Sequence, residues 1–122
     1  MLVRLPLSPT TNNLFVNVPG KGRVASQEYR KWVQTAGLTL NVAKRGQTFG
    51  KMLVQVGIMV PRKNRGDIDN RAKAVLDLFT VCGVWDDDKQ VERLTIERHD
   101  DKDLLVSVMP YEALGTQGGG GE

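Results

Sequence analysis

The chain is expected to fold as a small single-domain α/β (α+β) protein, a mixed β-sheet packed with two main helices in the order β–loop–α–β–α–β–β. Three observations carry that expectation. Residues 54–60 alternate apolar and polar in the manner of a strand, with Val54, Val56, Ile58 and Val60 on one face. Two other stretches, 27–44 and roughly 68–82, repeat apolar residues at helical spacing. Finally, 122 residues with 40% hydrophobic and 25% charged side chains suit one domain with a real core.

Taken in order, residues 1–7 form a short apolar strand closed by Pro6 and Pro9. Residues 10–25 are rich in Thr, Asn, Gly and Pro and read as a loop or irregular hairpin carrying Lys21 and Arg23. Ser26 is placed to cap the first helix, with Glu28 in its first turn. Tyr29, Trp32, Val33, Ala36 and Leu40 supply that helix's apolar stripe, and Trp32 belongs to the core rather than to a base-stacking platform. Gly37 is its weak point, costing about 1 kcal/mol against Ala, and Gly46 stops it behind Lys44 and Arg45. The strand over 51–60 has apolar residues on both faces, which predicts a central position with both faces at least partly covered. Pro61 ends it, and Arg62-Lys63-Asn64-Arg65-Gly66 makes a basic loop. The second helix is predicted to begin near 68–70, bury Ala72, Val75, Leu76 and Phe79, and end at Gly83. Residues 90–98 and 104–109 read as a closing hairpin around residues 100–103. The final residues, 113–122, are Gly-rich and expected to be disordered, leaving 1–112 as the folded domain.

Composition removes several functions. No apolar run reaches the roughly 18 residues of a membrane-spanning helix. The opening residues lack a basic-then-apolar signal layout, so a cytoplasmic protein is expected. One cysteine, Cys82, allows no internal disulfide, and with the single His99 it builds no zinc site. A nucleophilic triad would depend wholly on that one histidine.

Charge is distributed unevenly. Residues 1–66 carry eleven Lys and Arg against the single acid Glu28, a net of +10, whereas residues 67–122 carry six against thirteen acids, a net of −7. A basic half suits a polyanionic partner and gathered acids suit a cation, although two solvated, mutually neutralising faces would give the same count.

The acids of interest lie between residues 62 and 92. Asp67 and Asp69 flank Ile68 where the basic loop turns into the second helix, and Lys73 follows Asp69 by one turn. Asp86-Asp87-Asp88 comes after that helix, and a chain returning alongside it is expected to bring the run back beside Asp67 and Asp69. Mg²⁺ takes oxygen ligands and retains waters, so two or three carboxylates there would hold it beside a phosphate. Lys73 would support negative charge developing on the phosphate. Each part also has an ordinary use. A lone Asp at a helix start is commonly a cap, Lys73 an exposed helix-face partner, and an acidic run a solvated turn. Asp77, one turn past Lys73, reads as its salt-bridge partner, and Trp85 as core.

The ordered pattern Asp67-Ile68-Asp69-Asn70, Lys73, Asp77, then Val84-Trp85-Asp86-Asp87-Asp88-Lys89-Gln90 resembles the RusA-type Holliday-junction resolvases, small endodeoxyribonucleases of bacteria and their phages. A looser likeness runs from Leu5-Pro6 through Asn12-Asn13 and from Val24 to Tyr29. The resemblance implies a Mg²⁺-dependent homodimer, with Mn²⁺ able to substitute, that resolves four-way DNA junctions by paired incisions without a small-molecule cofactor. It assigns Asp67, Asp69 and Asp88 as catalytic, metal-binding carboxylates, Asp87 as the fallback ligand and Lys73 as the essential lysine. Arg62, Lys63 and Arg65 match its DNA-contacting loop, and Arg71, Lys21 and Arg23 join them as candidate DNA contacts. Two departures stand out: Gly66 replaces an expected basic residue, and Leu14-Phe15-Val16 is more apolar than expected, which makes that segment a candidate dimer contact. The alternatives are a non-catalytic basic DNA-binding module, or the same chemistry directed at flaps, forks or RNA.

Overall fold

The computed structural model describes residues 1–64 and 66–112. The expected tail over 113–122 and Arg65 lie outside the described residues. Six strands and two α-helices follow one another as β1 (Leu2–Leu5), β2 (Phe15–Val18), β3 (Gly22–Ala25), α1 (Gln27–Lys44), β4 (Val54–Pro61), α2 (Ala72–Val81), β5 (Val91–His99) and β6 (Leu104–Pro110). Short 3₁₀ turns occupy Thr11–Asn13 and Asp88–Gln90. None of the described helices is long and apolar enough to cross a membrane.

Four strands form one mixed sheet in the order β1-β6-β4-β5, and β2 pairs with β3 as a separate hairpin. β4 is central, as its sequence predicts: it runs parallel to β5 and antiparallel to β6. The closing hairpin is not formed, because β5 and β6 lie on opposite sides of β4. The two apolar strands β4 and β6 take the positions where both edges are hydrogen-bonded, and the charged β5, with Glu92, Arg93, Glu97 and Arg98, is left at the rim.

One sheet face makes the core. Val3, Leu5, Val54, Val56, Ile58, Val60, Leu104, Val106 and Val108 are buried with Trp32, Ala36 and Leu40 of α1 and Ala74, Val75, Leu78 and Phe79 of α2. The other face is partly covered, as β4's sequence suggested, with Gln55, Gly57 and Met59 half-buried. Gln55, Gly57 and Met59 line an open depression of about 260 Å³ with Thr95, Leu105 and Ser107.

α1 matches its predicted limits. Ser26 accepts a hydrogen bond from the Tyr29 N–H at 3.0 Å, and Arg45 and Gly46 turn left-handed to close the helix. Trp32 is buried and its Nε1 donates to the Pro6 carbonyl at 2.8 Å, which confirms the core assignment. α2 starts at Ala72, two to four residues later than predicted. Gly66, at φ +107°, reverses the chain, and residues 67–71 are consumed in tight turns closed by Asn70 N–H to Asp67 O and Ala72 N–H to Asp69 O. The strand expected from residue 51 begins at Val54, since residues 50–52 make a turn that bonds to the segment around Gln90. Of the candidate dimer segment, Leu14 is core and Phe15 packs edge-on against Tyr29, so only Val16 projects outward.

Candidate active site

Asp67 and Asp69 sit in the exposed turns before α2. Neither caps the helix: the residue at the capping position is Arg71, which makes no side-chain cap bond, and only the backbone carbonyl of Asp69 bonds to Ala72. Both carboxylates are therefore unengaged by the described residues in the one place where an aspartate has an ordinary structural use. The turns themselves are well fixed. Thr11 donates its backbone N–H and its hydroxyl to the Asn70 carbonyl, and Arg98 donates to the carbonyls of Asn64 and Gly66.

Lys73 projects from the first turn of α2 and is half-exposed. Its Nζ lies 3.3 Å from the Asp77 carboxylate, the pairing its spacing predicts. Exposed at this level, such a pair contributes little to stability, but it steers the ammonium along the helix face that carries it.

Asp86-Asp87-Asp88 does not return to Asp67 and Asp69. It lies at the far end of α2, ten residues along and so about 15 Å away along the helix axis. There the Asp86 N–H donates to the Gly50 carbonyl, below the start of β4. The expectation fails because β5 must run parallel to β4, so the chain has to re-enter the sheet at the start of β4 rather than beside its end. Among the described residues no three His, Cys, Asp or Glu side chains converge to hold a metal. One chain therefore offers Asp67 and Asp69 at one site and Asp88 at another.

The three acids of the run differ in use. Asp87 caps the turn after it: its carboxylate accepts from the Lys89 N–H at 2.9 Å. That backbone bond holds its carboxyl below the usual aspartate range, against an opposing effect of desolvation and with further help from Asp88 and the Lys89 charge. Its capping role makes Asp87 a structural residue more than a spare ligand. Asp88 is exposed at the head of the 3₁₀ turn.

Sequence reasoning singled out Gln90 only as part of a pattern, yet it fixes this segment. It is 8% exposed, and its amide makes four bonds. Oε1 accepts from the N–H groups of Asp86 and Asp87 at 3.0 and 2.8 Å, and Nε2 donates to the carbonyls of Gly50 and Met52 at 2.7 and 2.8 Å. A glutamine two residues past an acidic run, just before a strand, is the signal that marks such a clamp.

The basic candidates divide by engagement. Lys63 is exposed, and Arg62 is exposed while paired with Asp100 at 2.9 Å. Lys21 sits at the tip of the β2–β3 hairpin, and Arg23 lies over the Phe15 ring at 4.5 Å. Arg71 is the exception. It is half-buried, its guanidinium bonds the Ser8 carbonyl, and burial lowers its pKa, with Glu28 opposing. It ties the 8–11 segment to the start of α2 instead of facing solvent.

Comparison with known proteins gives one consistent result. A family model described as endodeoxyribonuclease RusA matches residues 6–109. The chain is 28% identical over 95 residues to the crossover junction endodeoxyribonuclease RusA of Escherichia coli K12 and to that of Escherichia coli O1:K1 / APEC. It is 27% identical over the same length to the protein of that name from Shigella sonnei. Each match covers 73% of this chain and 74% of the relative.

Proposed function

The chain belongs to the RusA endodeoxyribonuclease family, and from that premise we propose that it is a metal-dependent, structure-selective nuclease that resolves four-way DNA junctions. It acts as a homodimer and cuts two symmetry-related strands by phosphodiester hydrolysis.

The observation that carries this reading is the pair Asp67 and Asp69, held in fixed turns with both carboxylates unengaged by the described residues. Neither carboxylate is used as a helix cap, so both are available to a cation. Two such oxygens fit Mg²⁺ or Mn²⁺, which take few protein ligands and keep the rest of their positions for water and phosphate. Bound there, the cation would neutralise phosphate charge and lower the pKa of a coordinated water. Asp67 and Asp69 hold the acidic end of the site. Lys73, steered by Asp77, presents an ammonium to charge developing on the phosphate. Arg62 and Lys63, with Lys21 and Arg23 on the hairpin, offset the negative charge of the backbone, so binding weakens steeply with salt.

The test is cleavage of a mobile four-way junction beside matched duplex, flap, fork, single-stranded and RNA substrates, each with Mg²⁺, Mn²⁺ or EDTA. Selective, metal-dependent cutting of the junction is the expected result. Asp88→Asn is expected to abolish cutting while junction binding survives or strengthens, because it removes negative charge near phosphate. Salt-sensitive binding with no product under either metal would make the chain a DNA-binding module. Cutting confined to flaps, forks or RNA would keep the chemistry and change the substrate.

A further inference from the structure

Where β4 ends, an exposed arginine is held by an exposed acid from the β5–β6 loop. We propose that Asp100 is a positioning residue, which fixes the Arg62 guanidinium so that both of its Nη groups are presented to a DNA phosphate. This rests on the DNA-binding part of the reading above for the ligand, whereas the orientation of the side chain stands on its own observations.

The first is the backbone. Arg62 follows the last residue of β4, and its N–H donates to the carbonyl of His99, the last residue of β5, at 2.7 Å. The turn that contains it is closed by Asn64 N–H to Pro61 O at 3.2 Å. Arg98 donates through both Nη groups to the Asn64 and Gly66 carbonyls and braces the same loop ahead of Asp67. The main chain is thus fixed, and the freedom left at Arg62 is that of a long side chain with many rotamers.

The second is which nitrogen is used. Arg62 donates to Asp100 Oδ1 through Nε, at 2.9 Å. Besides that N–H, a guanidinium carries donors on both Nη nitrogens. With Nε occupied, the fork of the two Nη groups remains, and no described residue accepts from it. Such a fork matches two oxygens of one phosphate. Arg98 is the contrast, because its own fork is taken by carbonyls of the chain.

The third is that the loop does not need Asp100 for its shape. Asp101 supplies that: its carboxylate accepts from the Lys102 and Asp103 N–H groups and pairs with Arg4. His99 adds a bond from Nε2 to the Asp103 carbonyl at 2.7 Å. The Asp100 side chain is 88% exposed, and among the described residues it meets only Arg62. An ion pair so exposed adds little stability, and an acid beside a bound phosphate weakens attraction through its charge. What Asp100 supplies is direction. A short carboxylate on a fixed loop removes rotamer freedom that Arg62 would otherwise lose on binding.

The test measures binding of a four-way junction by the full-length protein in EDTA over a series of salt concentrations. Asp100→Asn and Asp100→Ala remove the same charge, but only Asn keeps an oxygen for Nε, so their difference isolates orientation from charge. Asp100→Ala should bind about three- to tenfold more weakly than Asp100→Asn, and the two should bind alike once Arg62 is replaced by Ala. Arg62→Ala should lower the slope of log K against log salt by about 0.9, the share of one phosphate. Arg62→Lys, which keeps the charge without the fork, should not match wild-type affinity. Equal binding by the Asn and Ala variants, a difference that survives in Arg62→Ala, an unchanged salt slope, or wild-type affinity in Arg62→Lys would overturn the proposal. A wild type that binds the junction in the expected way but cuts no DNA would refute the nuclease reading and leave the role of Asp100 standing; one that binds no junction would overturn both.

Discussion

Replacing Gln90 by Ala removes the one side chain that ties the acidic run to the sheet. Four bonds are lost, but two of the groups involved retain other partners: the Gly50 carbonyl and the Asp86 N–H bond each other at 3.1 Å. The groups left without a protein partner are the Asp87 N–H and the Met52 carbonyl. A buried orphan costs about 1–3 kcal/mol, and both flanking residues are exposed enough for water to reach them, which sets the cost at the low end of that range. Adding the packing lost from a nearly buried side chain gives a destabilisation of about 2–4 kcal/mol and a drop in Tm of roughly 10 °C. Urea denaturation followed by circular dichroism and by the fluorescence of the buried Trp32 and Trp85 measures it. Gln90→Glu provides a second arm. It keeps an acceptor for the two N–H groups but turns a carboxylate toward two carbonyls, so its folded-state pKa rises. Its stability is then highest at acid pH and falls as pH rises through that pKa. Both variants within about 0.5 kcal/mol of wild type at pH 7 would refute the clamp.

Three further outcomes follow from single groups. Gly37→Ala places a methyl in ordinary contact with Leu78 Cδ1 at 3.8 Å and Cys82 Sγ at 4.0 Å, so it should stabilise the protein by about 1 kcal/mol, read as a higher urea midpoint. Gly57→Ala puts a methyl 2.8 Å from Ser107 Oγ across β4 and β6; it should destabilise by about 1–3 kcal/mol, and Ser107→Ala should recover most of the loss in the same assay. The Asp87 carboxyl, held by the Lys89 N–H, should titrate below the normal aspartate range in an NMR pH series. Because its folded pKa is depressed, the stability it confers is present above the unfolded value and disappears as pH falls through the lowered one.

Much of the fold was legible because local chemistry and tertiary structure agree there. Ser26, the Tyr29–Leu40 stripe and Gly46 specify α1 without help from the rest of the chain, and the apolar residues on both faces of β4 specify a central strand. Strand order was not legible. Residues 90–98 and 104–109 have the spacing of a hairpin, and only the competition of β6 and β5 for the two edges of β4 separates them. The start of α2 was misplaced for a related reason. Asp67, Ile68 and Asp69 suit a first turn, but Gly66 and the bond from Thr11 to Asn70 hold them in an earlier turn. At the site, the residue types and the Lys73–Asp77 pair could be read from spacing, whereas the distance between Asp69 and Asp88 could not. It depends on β4 and β5 being parallel, which no local pattern encodes. Arg71 looked like its basic neighbours in sequence, and its inward role follows from contact with Ser8, sixty-three residues away.

The most direct measurement is cleavage of a labelled mobile four-way junction by the wild type and by Asp69→Asn, with Mg²⁺ and with EDTA. Metal-dependent, symmetric nicking into two linear duplexes, absent with EDTA and absent in the variant, is the predicted result. An Asp69→Asn protein that resolves the junction as fast as wild type, or wild-type cutting that persists in EDTA, would contradict the account.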